Sequence, residues 1–228
     1  TSEVPEAGDM ENARLPGAAA LTGDTRVAIG VRGRGAAINP GNRFETVRLH
    51  VCGEALDAAA EAHPDGVQLT TTIHADATRR IINAVDPRVS PEIGFRWTIN
   101  PYRGCEHGCV YCYARPSHEL LGFSSGLDFE TQIVAKHDAP ALLRRELSDP
   151  RWRPATIMLS GVTDPWQPLE RKLRLTRGVL EVLSACRHPV SMISKNRLIV
   201  RDIDLIAPLA RIGAARAAIS ITTLDERL

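Results

Sequence analysis

Between residues 156 and 222, short apolar runs alternate with amphipathic stretches, and this alternation limits the fold more than any other feature of the chain. The runs 156–160, 190–194 and 217–222 are too short for helices, and the first two read as strands buried on both faces. Residues 171–183 put Leu173, Leu180 and Leu183 on one helical face, and 202–210 reads as another helix. Strand, helix and strand in succession predict βαβ units and a parallel sheet, hence an α/β fold. Upstream, 131–136 reads as extended, 140–147 as an amphipathic helix, and 95–100 as a short strand that Pro101 stops. Four parallel strands are therefore expected, near Phe95, Ile157, Met192 and Ile219, with a further helix starting near Asp225. A half-finished parallel sheet ending at Ser220-Ile221-Thr222-Thr223 would leave an open edge, so the chain is expected to be a truncated piece of a longer one.

The loop that leaves the first of these strands carries Cys105, Cys109 and Cys112, spaced C-x3-C-x2-C. Three thiols within eight residues can grip one metal centre from a single loop. Zinc would need a fourth ligand, for which His107 and His118 are the candidates. An iron–sulfur cube held by three cysteines would instead keep one iron without a protein ligand, open to a small molecule. Cys52 and Cys186 make the total five, an odd number with three clustered, which is not the layout of a disulfide framework and points to a reducing compartment. A balance of 28 basic against 27 acidic residues gives no global excess to attract nucleic acid. No apolar leader stands at the start and no run approaches the roughly 18 residues of a membrane span, so a cytoplasmic protein without a membrane span is expected.

Residues 1–45 lack a sustained period and predict a disordered or extended arm. In it, Arg32, Arg34 and Arg43 could meet phosphates beside flanking glycines, or simply form a flexible basic arm. Residues 46–94 read as an extension packing on the core, with a helix over 47–62 and a strand over 66–73. The main domain is expected to occupy 95–228, with a helix from near Tyr111 past Leu120. Cys52 and Cys186 both suit small buried side chains. Asp164-Pro165 could be a simple turn, Lys195 a solvated lysine, and Trp166 packing or a stacking surface.

The cysteine spacing with Tyr111 before its last member resembles the cluster motif of the radical S-adenosylmethionine enzymes. Three longer strings resemble a bacterial subgroup related to spore photoproduct lyases: Asn100-Pro101-Tyr102-Arg103-Gly104-Cys105-Glu106-His107-Gly108-Cys109, residues 161–170 and Ser194-Lys195-Asn196. Arg32-Gly33-Arg34-Gly35-Ala36 and residues 39–45 resemble the same subgroup's N-terminal segment, so the likeness covers about residues 30 to 228. It implies a partial (β/α)6-type barrel, a [4Fe-4S] cluster on Cys105, Cys109 and Cys112, and S-adenosyl-L-methionine on its open iron. Tyr111 would then sit against the adenine and Tyr113 close by. Thr163 and Asp164 would meet the amino group, Lys195 the carboxylate, and Ser220 the ribose or carboxylate. Thr163 and Asp164 stand where many members of that family carry Gly-Gly-Glu. Reductive cleavage would release a 5′-deoxyadenosyl radical for hydrogen abstraction, fed by an electron donor such as flavodoxin or ferredoxin. The substrate stays open, with nucleic acid among its possible classes. Spore photoproduct lyases carry a hydrogen-donating cysteine near the segment that here reads Ser160-Gly161-Val162-Thr163, so repair of thymine photoproducts is not implied. A zinc-stabilised nucleic-acid-binding module and an inactive remnant of the same scaffold are the other readings.

Overall fold

In the computed structural model, which describes residues 33–44, 70–88 and 94–225, the chain builds two sheets. The larger runs β2 (Ile82–Ala84), β3 (Trp97–Ile99), β6 (Ile157–Leu159), β7 (Val190–Ser194) and β8 (Ala215–Ile219), in that spatial order. The last four are mutually parallel, and β2 closes one edge antiparallel to β3. All four parallel strands expected from the apolar runs are present and adjacent. The smaller sheet is ordered β1 (Thr72–Ala75), β5 (Gln132–Ala135), β4 (Tyr102–Arg103), and the single turn α1 (Asp128–Thr131) leads directly into β5.

The register decides which side chains face the helices. Ile99, Leu159 and Met192 stand side by side, as do Ile157 and Val190 one pleat away, and all five are buried. They pack against Leu142 and Leu143 of α2 (Ala139–Leu147), Val179, Leu180 and Leu183 of α4 (Leu175–Ala185), and Ile206 and Leu209 of α5 (Ile203–Arg211). The intervening row of Thr98, Met158, Ser191 and Arg216 lies on the opposite face, which also carries Ile193 and is more open.

Several local expectations are corrected. Instead of one helix from Tyr111, turns lead into a 3-10 helix at Arg115–Leu121, because Arg115 N–H and Ser117 N–H reach back only three residues, to the Cys112 and Ala114 carbonyls. The helix expected over 171–183 is two, α3 (Glu170–Leu173) and α4, broken where Arg174 takes φ 54°. The break has a cause: the Glu170 carboxylate accepts from the Thr176 and Arg177 amides at 3.0 and 3.2 Å, capping the restarted helix. Of the strand expected over 66–73, residues 66–69 lie outside the described residues, and the strand seen is Thr72–Ala75. Residues 70–88 supply β1 and β2, each of which adds a strand to a sheet. Cys186 is exposed, because it sits past the last inward turn of α4. The helix expected over 47–62, Cys52 and Arg32 lie outside the described residues.

A buried ionic knot ties these elements below the site. Glu170, fully buried, also accepts from Tyr102 Oη and from Arg201 at 2.7 Å. Asp202, also fully buried, accepts from Trp166 Nε1 at 2.8 Å, Arg177 at 3.0 Å and Arg201 at 2.7 Å. Trp166 is therefore core, with its indole N–H satisfied, and offers no stacking surface.

Candidate functional site

Four of the polar segments singled out in the sequence lie beyond the C-terminal ends of the parallel strands, the cysteine loop by way of the short β4. The cysteine loop follows β3 and β4, residues 160–167 follow β6, Lys195 and Asn196 follow β7, and Ser220 follows β8. Parallel strands share one direction, so these four segments assemble at one edge of the sheet. Asn100 joins the first two: its side-chain oxygen accepts from the Gly161 and Val162 amides at 2.8 and 3.0 Å.

Within the cysteine loop, Cys105 is buried while Cys109 and Cys112 are partly exposed. Burial pushes the Cys105 thiol up to about 12, so it is protonated near neutral pH. The loop is braced from the β6 side. Gln167 accepts from the Glu106 amide at 2.9 Å and donates to Thr163 Oγ1 at 3.1 Å, and Thr163 donates to the Gly104 carbonyl at 2.6 Å. Among the described residues no three His, Cys, Asp or Glu side chains are gathered closely enough to hold a metal ion. The donor set nevertheless fits a cluster that takes three thiolates from one loop and keeps a corner for another molecule. His107 and His118 are engaged elsewhere: His107 with Asp164 and Asn196, His118 with the Gln132 carbonyl at 2.9 Å.

Asp164 is a connector. Its Oδ1 accepts from Trp166 N–H at 2.9 Å and Ser194 Oγ at 2.8 Å. Its Oδ2 accepts from Lys195 N–H at 2.9 Å and lies 3.4 Å from His107 Nε2. Burial works to raise its pKa, but these partners outweigh burial and hold the carboxyl below the ordinary range. Three hydrogen bonds and one ion pair thus engage the carboxylate within the chain. The turn reading of Asp164-Pro165 describes this geometry, extended across to β7.

Lys195 points its ammonium back over the cysteine loop, 3.2 Å from Cys109 Sγ and 3.4 Å from Tyr111 Oη, with the Tyr111 ring centroid at 5.1 Å. Partial burial works against its charge, yet the contacts to Cys109 and Tyr111 prevail and its pKa is raised. Tyr111 and Tyr113 are both exposed, and Tyr113 donates its hydroxyl to the Gly161 carbonyl across the site. Ser220 is partly buried, its amide bonded to the Ser194 carbonyl at 2.8 Å.

No family model and no solved structure matches the chain. Its similarities are to uncharacterized proteins. One from Mycobacterium tuberculosis is 39% identical over 164 residues, 72% of this chain and 46% of that protein. Another, from Methanocaldococcus jannaschii, is 29% identical over 119 residues, 52% of this chain and 42% of that protein. A third, from the Acidianus two-tailed virus, is 24% identical over 147 residues, 61% of this chain and 46% of that protein. The chain thus spans about half the length of the curated relatives it matches. No helix among the described residues is long and apolar enough to cross a membrane.

Asn100, Gln167 and Ser194, quoted in the sequence only as parts of longer strings, and Arg115, not singled out there, position the loops. Asn100 and Ser194 could have been found from their place at strand ends. Arg115 could not, because its role is to gather carbonyls of Gly108, Cys109 and Gly126. His118, stacked on Phe123 with centroids 5.1 Å apart and wedged behind Gly104, has its pKa lowered from the ordinary 6.5 to about 4 by burial. The unfolded chain therefore takes up this proton first, and protons favour unfolding as pH falls from about 6.5 towards about 4. Stability of the metal-free chain, followed by urea unfolding across that window, is expected to drop by about 3 kcal/mol from this group. In His118→Phe that slope should flatten.

Proposed function

We propose that the chain carries the core of a radical S-adenosylmethionine enzyme, with Cys105, Cys109 and Cys112 as the ligands of a [4Fe-4S] cluster. The observation that carries the reading is the Lys195 ammonium, delivered from β7 to 3.2 Å from Cys109 Sγ and seated on Tyr111. A lysine held against a thiol at the end of a parallel sheet is unexplained by packing alone; beside a cluster it has a task. When bound, the cluster would supply the electron that cleaves S-adenosylmethionine reductively and yields a 5′-deoxyadenosyl radical.

The chain's own residues bind and orient. Lys195 offers a permanent cation to the carboxylate of the methionine part. Tyr111 would sit against the adenine with Tyr113 close by, and Ser220 would offer a hydroxyl to the ribose or carboxylate. Thr163 and Asp164 contribute by fixing the turn after β6 against the cysteine loop and β7. On this reading β3, β6, β7 and β8 are four strands of a (β/α)6-type barrel, and the open face carrying Thr98, Met158, Ser191 and Ile193 is its concave side. A small redox protein such as flavodoxin or ferredoxin would feed the cluster in the cytoplasm. The substrate would be one with an abstractable hydrogen, a class that includes nucleic acid.

Anaerobic reconstitution with iron and sulfide tests the reading. A brown protein that forms 5′-deoxyadenosine from S-adenosylmethionine and a strong reductant is expected. A colourless protein holding a single zinc would sink it.

A further inference from the structure

Gly33-Arg34-Gly35, from a stretch that could have been a free basic arm, is bound to the back of the cysteine loop. Over residues 33–44 the segment runs through bends and a turn, with Asn39 and Asn42 buried. Three successive amides, those of Arg34, Gly35 and Ala36, donate to the Glu130 carboxylate at 2.7, 3.0 and 2.7 Å. Consecutive backbone N–H groups turned onto one anion form a nest, here closed around a side chain that is fully buried. The fourth acceptor position of Glu130 is filled by Arg115 at 2.6 Å. Arg115 in turn holds the carbonyls of Gly108 at 2.8 Å and Cys109 at 2.9 Å, between the first two thiols and at the second. Contact between strap and loop is direct as well. A Cβ on Gly35 would overlap the Gly108 carbonyl, and a Cβ on Gly108, which takes φ +62°, would sit 2.6 Å from Arg34 Cβ. Arg34 also reaches Glu106 in the loop at 3.4 Å. Further along, Asn39 exchanges two bonds with Asp128 at 2.8 and 2.9 Å, and Asn42 donates to the Glu119 carbonyl at 2.9 Å.

We propose that the strap at residues 34–36, acting through Glu130 and Arg115, positions the cysteine loop for its cluster. The loop has almost no regular structure of its own, so its carbonyl directions, and hence its thiol directions, are imposed from outside. Glu130 and Arg115 are positioning residues, a buried ion pair at 2.6 Å whose carboxylate also accepts the three strap amides. The cluster part of this inference rests on the function proposed above; the hold of the strap on the loop does not.

Two variants of the full chain test it, Gly35→Ala from the strap side and Glu130→Gln from the core side. In metal-free protein, amide exchange over residues 104–112 is expected to quicken roughly tenfold or more in Gly35→Ala, as bonds to a charged group are lost. Exchange in α4 and β7 should stay unchanged, which separates a loosened loop from a failed fold. After reconstitution, both variants should hold less iron per chain, and the remaining cluster should show a broadened paramagnetic signal on reduction. If the strap in Gly35→Ala exchanges freely while 104–112 keeps its protection, the inference is overturned. If the unaltered protein takes up no iron, the proposed function fails, and the exchange result still decides whether the strap holds the loop.

Discussion

Alanine at Cys105, Cys109 or Cys112 is expected to leave the reconstituted protein colourless and without iron, while alanine at Cys186 or Cys52 leaves the iron content unchanged. The three positions share one loop and one end of the sheet, whereas Cys186 caps the exposed end of α4 on the far side of that helix's core face. A cluster with only two protein ligands loses the third charge that offsets its iron, so the effect is all or none rather than graded. Cys105 adds a pH dependence. Its thiol, raised to about 12 by burial, must release a proton before it can ligate, so loading should proceed more readily as pH rises through neutrality. Iron and sulfide per chain in the five variants check the prediction, and loss of iron in Cys186→Ala would mean that the site has been misassigned.

Asp164→Ala is expected to destabilise the metal-free chain by about 3 kcal/mol, because Ser194 Oγ and the Trp166 and Lys195 amides each lose an acceptor in a buried setting. Asp164→Asn should cost less, as it can keep Oδ1 and its two donors. The carboxyl is held below its ordinary range despite burial, so its contribution is present above pH ~4 and disappears as pH falls through the lowered folded value. Urea unfolding of wild type and both variants, without metal or cosubstrate, gives the readout. Unchanged stability in Asp164→Ala would show that the carboxylate is held in reserve for a ligand rather than committed to the loops.

These two expectations treat neighbouring motifs differently, and the difference came from the fold. The thiols could be picked out from spacing, because three soft donors in eight residues have few other uses. Asp164, Gln167 and Trp166 stand in a string that resembles a cofactor-binding motif, yet Asp164 spans to β7, Gln167 to the cysteine loop, and Trp166 to Asp202. Lys195 behaves in the opposite way. A lysine after a strand is ordinarily solvated, and its approach to Cys109 adds a contact that the sequence did not show.

By itself the sequence determined the parallel sheet, because apolar runs of strand length between amphipathic helices have nowhere else to be buried. It determined the order of the polar loops too, since parallel strands all release their next loop at the same edge. The break at Arg174, the 3-10 turn after Cys112 and the clamp on the cysteine loop were decided only by tertiary structure. Each depends on a carboxylate or guanidinium meeting backbone groups: Glu170 on the start of α4, Arg115 on Gly108 and Cys109, and Glu130 on the amides of residues 34–36, which lie 94 to 96 positions away. Such pairings leave no periodic trace in a chain, because backbone amides are the same at every residue and only folding selects which of them a buried charge will meet.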